Sequence, residues 1–181
     1  KADSKERRAA QTVMYLILDA LTRMLTPILA YTADEIWSYM PHKSSDDEAH
    51  VIYNDMPGIV DMSVDDSFIA SWDRIHELRD TVKKSLEVVI KDKTVKTSLE
   101  TCVTLKASGE EYAFIESVLP ELKAAFIVSD VKLAENSGEL EVEVSKAEGE
   151  KCERCWSYST TVGSCAEHPT LCARCAAILS K

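Results

Sequence analysis

The chain has 181 residues, 45% of them hydrophobic, with 21 Lys and Arg against 31 Asp and Glu for a formal net charge of -10. That size can bury a core or two, so a helical domain with smaller units is the natural organisation. The acidity argues against a general nucleic-acid binder, whose affinity rests on cations that neutralise phosphate. Negative charge is concentrated in residues 26–66 and 99–150, so a polyanion is expected to meet the other segments while these repel it. No apolar run approaches bilayer length, and the charged start Lys-Ala-Asp-Ser-Lys-Glu-Arg-Arg is no secretory leader, so no membrane partner is expected. Opening on Lys and running straight into helical sequence, the chain reads as a piece cut from a larger protein.

Asp3-x-x-Glu6 has the form of a capping box, and Val13, Leu16, Ile17, Ala20, Leu21, Met24 and Leu25 recur at three- and four-residue steps, which predicts a helix over about 4–25. Thr26-Pro27 interrupts it. Thr32-x-x-Glu35 predicts a second, short helix carrying Ile36, Trp37 and Met40 as far as Pro41, and residues 42–50 read as an exposed loop. Asp65, Asp66 or Ser67 can cap a long helix with Phe68, Trp72, Ile75, Leu78, Val82, Leu86 and Val89 on one face. Its other face carries Arg74, Arg79, Lys83, Lys84 and Lys91 beside Asp73, Glu77, Asp80 and Glu87, which reads as an ordinary solvated surface.

Leu99, Thr101, Val103 and Leu105 alternate with Glu100, Cys102, Thr104 and Lys106 as a strand, with Cys102 a small buried residue. A helix is expected over 110–119, then Pro120 and a short helical turn. Residues 126–133 read as extended, 140–144 as a strand with one wet face, and 145–150 as a polar linker. With only five glycines there is little material for a phosphate loop, and His42, His50, His76 and His168 are scattered away from any nucleophile. No catalytic residues are assigned.

The last segment carries the strongest signal. Cys152-x2-Cys155 and Cys172-x2-Cys175, sixteen residues apart, have the spacing of a structural zinc site in which two knuckles present four thiolates to one ion. Four thiolates close the coordination shell, so the one metal expected here holds shape and performs no chemistry. The segment has few apolar residues of its own, and zinc binding at roughly 10 to 16 kcal/mol is effectively its folding energy. A disulfide framework and a redox CxxC fit the absence of a leader and the paired spacing less well. Cys165 and His168 belong to neither knuckle and are expected to be non-ligands.

These residues carry a resemblance. Leu21 to Trp37, with Pro-Ile-Leu-Ala-Tyr-Thr-Ala-Asp-Glu-Ile-Trp, resembles the anticodon-binding helical domain of class I aminoacyl-tRNA synthetases; Asp34 departs mildly from the usual glutamate. Asp55-Met-Pro57 is similar to an element that follows in that family. Gly149 to Tyr158 and His168 to Cys175 resemble the C-terminal zinc module of bacterial isoleucyl-tRNA synthetases. Lys96 stands where relatives usually have glycine, which bears on the turn before the strand.

The fold class this implies is α+β: a helical-bundle anticodon-binding domain over 1–98, truncated at its start, a small α/β unit over 99–147 and a four-cysteine zinc module over 148–181. The implied partners are tRNA and the remainder of a synthetase chain, in a cytoplasmic monomer; ATP and Mg would serve only a catalytic domain absent from this chain. An anticodon offers splayed bases to stacking platforms and edge contacts. Trp156, next to a zinc ligand, is the expected platform, and Arg154 the contact to phosphate or a base edge. The competing readings are that Trp156 packs the module against the helical domain while Lys151, Arg154 and Arg174 compensate the thiolates in a purely structural cap, or that the module is a DNA-glycosylase finger.

Overall fold

The computed structural model describes residues 3–60 and 64–179. The chain divides into two compact units, Lys1–Ser63 and Val64–Lys181. Both helices and strands are present, and among the described residues no helix is long and apolar enough to cross a membrane.

In the first unit, α1 spans Lys5–Leu25 and α2 spans Ala30–Ser38. The cap of α1 is Ser4, whose Oγ accepts from the Arg7 amide at 3.3 Å, and not the Asp3 of the expected box. The expected box at Thr32 also fails, because the Leu29 amide bonds back to Leu25 and the chain is already helical from Ala30. Asp34 instead ties α2 to the next loop, accepting from the Val51 amide at 3.0 Å and lying 2.8 Å from His50 Nδ1. The His50 contact and then the Val51 amide hold its carboxyl below the usual aspartate range.

The core of this unit is Ala33, Trp37, Met40 and Val51, with Trp37 1% exposed. Arg23 lies 4.9 Å above the Trp37 ring, donates to Asp19 at 2.9 Å and to the Asp55 carbonyl at 3.2 Å, and pairs with Asp46 at 3.0 Å. Thus α1 meets its neighbours through Asp19, Thr22 and Arg23, all buried, whereas Val13, Ile17, Leu21, Met24 and Leu25 of its apolar stripe are exposed. Periodicity finds an apolar stripe but does not say what covers it.

In the second unit, α3 spans Asp66–Lys91, capped by Asp65 accepting from Ser67 at 2.9 Å. Strand β1 (Thr101–Ala107) leads through α4 (Gly109–Phe126) to β2 (Asp130–Glu135), and β3 (Glu141–Lys146) follows. Strand order is β2-β1-β3, with β2 parallel and β3 antiparallel to β1, in registers such as Leu105 with Leu133 and with Val142. The parallel pair needs a crossover, and α4 supplies it.

One core joins Ile75, Leu78, Val82 and Leu86 of α3, Val103 and Leu105 of β1, and Ile115, Leu122 and Phe126 of α4. Helix α3, grouped by its sequence with the helices before it, therefore packs on the sheet. Helix α4 runs unbroken through Pro120, so the expected break between the helix and the helical turn after it is absent, and Phe126, expected to start an extended stretch, ends the helix. The bond Pro120 cannot make falls on an exposed face, while Ile115, Leu122 and Phe126 bury the opposite face on both sides of it. Cys102 is buried as expected. The turn before β1 does not depend on glycine at Lys96, whose amide donates to Glu100 at 3.0 Å and whose φ is not positive.

Ile127 caps α4 at φ 58°, ψ 52°. This left-handed cap normally takes glycine or asparagine, and a β-branched residue there stores about 1–3 kcal/mol.

Candidate functional site

The zinc segment is built as a short hairpin and a short helix. Strand β4 (Glu150–Lys151) pairs with β5 (Tyr158–Ser159), and α5 (Ala173–Leu179) closes the chain. Gly149 at φ 86° enters the hairpin where a Cβ would stand 2.2 Å from the Ser159 carbonyl carbon, so only glycine fits. The first knuckle turns tightly: the Trp156 amide donates to the Cys152 carbonyl at 2.8 Å and the Cys152 amide to the Ser157 carbonyl at 3.0 Å. The second places Cys172 just before α5 and Cys175 within it.

The Sγ atoms of Cys152, Cys155, Cys172 and Cys175 lie within 4.8 Å of one another, with Cys155 and Cys172 at 3.9 Å. Zinc–sulfur bonds of about 2.3 Å in a tetrahedron require sulfurs about 3.8 Å apart, a spacing the Cys155–Cys172 pair already has and to which the others need draw in by no more than about 1 Å. Cys152 and Cys175 are fully buried and Cys172 nearly so, with Leu171 and Val162 packed around them. A closed set of four sulfurs in this setting can fix the fold of the segment and has no position for a reacting water.

The thiols differ in how readily they ionise. Burial works against charge at Cys152, but the backbone N–H groups of Cys155, Cys172 and Arg154 outweigh it and bring its pKa down to about 6; the Cys172 amide lies 3.3 Å from its sulfur. At Cys172, burial and the three neighbouring thiols push the pKa up to about 11. Four sulfurs this close resist carrying four negative charges, and a divalent cation relieves that repulsion. Arg174 belongs to the same balance: burial opposes its charge, but the Cys155 and Cys175 sulfurs hold it firmly protonated.

Trp156 is 62% exposed although it follows the second ligand directly, and its φ is +63°. A bulky residue in the left-handed region costs about 1–3 kcal/mol, yet the knuckle holds it there with the indole in solvent. The ring is no part of its own module's core. Lys151 Nζ lies 5.6 Å from the indole centroid, a cation–π contact that steadies the ring. Arg154 is exposed on the turn between the first two cysteines.

Sequence reasoning missed Ser129. It is buried, its hydroxyl donates to the Leu99 carbonyl at 2.5 Å and accepts from the Tyr158 amide at 2.6 Å, and so it fastens β5 to the α/β core. Both partners lie about thirty residues away, so no local spacing marks it.

Comparison with known proteins agrees with this geometry. Residues 149–178 match a family described as the zinc finger found in FPG and IleRS. That match and the four-cysteine cluster together support one structural zinc ion. The chain is 45% identical to an isoleucine–tRNA ligase of Symbiobacterium thermophilum over 192 residues, covering 97% of this chain and 20% of that protein. Isoleucine–tRNA ligases of Thermoanaerobacter sp. (43%, 97% of this chain) and Carboxydothermus hydrogenoformans (45%, 98%) are each similar over 20% of their length. The chain thus spans about a fifth of the curated relatives it matches. Residues 1–105 match the family described as the anticodon-binding domain of tRNA ligase, and the chain belongs to that family.

Proposed function

We propose that this chain is the tRNA-binding C-terminal portion of an isoleucine–tRNA ligase, contacting the anticodon side of its tRNA. The parent enzyme would join isoleucine to tRNA using ATP and Mg in a catalytic domain outside this chain. Residues 1–98 serve as the helical anticodon-binding domain, 99–147 as a small α/β unit and 148–181 as the zinc module, in a cytoplasmic monomer. Cys152, Cys155, Cys172 and Cys175 hold the zinc. The remainder of the synthetase is the partner for the exposed stripe Val13, Ile17, Leu21 and Met24 of α1, a larger apolar surface than a solvated helix usually presents.

The observation that carries this reading is Trp156: an indole 62% exposed, held at a strained φ by a knuckle whose geometry zinc would fix. Such a ring is a platform for an unstacked base, worth about 1–3 kcal/mol with little ordering cost because the knuckle is already rigid. Arg154, exposed beside it, meets phosphate or a base edge. Membership of the anticodon-binding family favours RNA over the DNA-glycosylase reading.

The test is tRNA affinity after Trp156→Ala and Arg154→Ala, with zinc content measured in each. Trp156→Ala is expected to weaken binding roughly fivefold or more at unchanged zinc content. Unchanged affinity in both variants would leave the module a structural cap, and a preference for duplex DNA over an anticodon stem-loop would favour the glycosylase reading.

A further inference from the structure

Two clefts in the second unit share Ile127 as a wall. One, of about 260 Å³, runs from Ile127 past Lys123 to Ser157 and Arg174, and so ends beside the residue next to Trp156. The other, of about 220 Å³, runs from Ile127 along α3 past Arg79 and Lys83. All four cations are exposed, and the acidic residue lining either cleft, among the described residues, is Glu87, which sits 4.0 Å from Lys83 in a solvent-exposed pair. In a chain of net charge -10 this is a local reversal of sign.

Ile127 is unusual in the same place. It occupies a left-handed cap that suits glycine or asparagine, yet it is 53% exposed and does not recover the strain by burial. An apolar knob between two cationic clefts offers van der Waals contact to an unstacked base and charges to the phosphates on either side. That chemistry suits single-stranded RNA, whose base faces are free, and not a duplex, whose faces are stacked away.

We propose that Ile127, with Arg79, Lys83, Lys123 and Arg174, forms a track for single-stranded loop RNA that continues the contact from Trp156 across the end of α4 onto α3. The track rests on the reading that this chain binds tRNA. It assigns a binding role to part of the α3 face that charge balance alone reads as merely solvated. Because Arg174 also serves the sulfur cluster, Arg79 and Lys123 are the cations to test.

The experiment measures binding of the zinc-loaded chain to a labelled RNA hairpin with the sequence of an isoleucine tRNA anticodon arm, across a series of salt concentrations. Ile127→Asn is expected to raise the melting temperature, since asparagine tolerates the left-handed cap, while the lost apolar contact weakens RNA binding roughly threefold or more. The double variant Arg79→Gln, Lys123→Gln is expected to flatten the slope of log affinity against log salt by about 1.4, or about 0.7 for each phosphate no longer neutralised. If Ile127→Asn unfolds the chain, the salt slope of the double variant decides alone.

Wild-type affinity and slope in these variants, while Trp156→Ala weakens binding, would overturn the track and leave the tRNA reading standing. Failure of the zinc-loaded wild type to bind the hairpin would overturn both. Competition by poly-glutamate as effective as by unlabelled hairpin would overturn the track in favour of an acidic polypeptide.

Discussion

The α/β core and the zinc module share one compact unit, but they are held by opposite means. The core buries Val103, Leu105, Ile115 and Leu122 completely, where α3 and α4 meet a three-stranded sheet. The module gathers its four cysteines around little more than Leu171 and Val162. Distributed burial loses stability gradually as side chains are trimmed, whereas a structure closed by one ion fails as a whole when a ligand goes. The two should therefore respond independently to substitutions aimed at each.

The largest separation is expected from Cys175→Ala. Losing one thiolate should abolish tight zinc binding and unfold residues 149–179, removing much of a stabilisation of roughly 10 to 16 kcal/mol, while amide exchange in β1 stays slow. Simultaneous loss of protection in β1 would mean that core and module fold as one. Leu122→Ala acts on the other side of the comparison: it should cost the core about 2–5 kcal/mol in denaturant unfolding and leave zinc content unchanged. The smallest effect belongs to Ser129→Ala, which removes a hydrogen-bonded link between the two. Losing its two part-buried bonds should cost the docking of β5 about 1–3 kcal/mol and speed exchange at the Tyr158 amide, with zinc retained and the core midpoint little moved.

The contrast also explains what could be read from the sequence. The cysteine cluster was legible because each knuckle is a local event, with two ligands separated by two residues and brought together by one loop. Strand β1 was legible for the same reason, since alternation is written residue by residue. Pro120 misled because its local effect is real but is overridden by Ile115, Leu122 and Phe126, whose burial depends on a sheet formed elsewhere in the chain. The Thr32 box misled in the same way, as the bond from Leu29 to Leu25 starts the helix before any side-chain cap is needed. The spacing of α1 gave a correct helix but not its covered face, because that face is set by Arg23 and Asp19, whose partners Asp46, Lys43 and Asp55 lie far along the chain. Ser129 and Ile127 carry no local mark at all; each matters through the residues the fold brings beside it.

The most direct test of the account is the native mass of the chain purified without chelator, followed by mass measurement under denaturing, non-reducing conditions. One zinc ion per chain, released on acidification to leave the cysteines 152, 155, 172 and 175 as free thiols, is the predicted result. A metal-free native mass, or a denatured mass lowered by about four hydrogens through two disulfides among these cysteines, would contradict it.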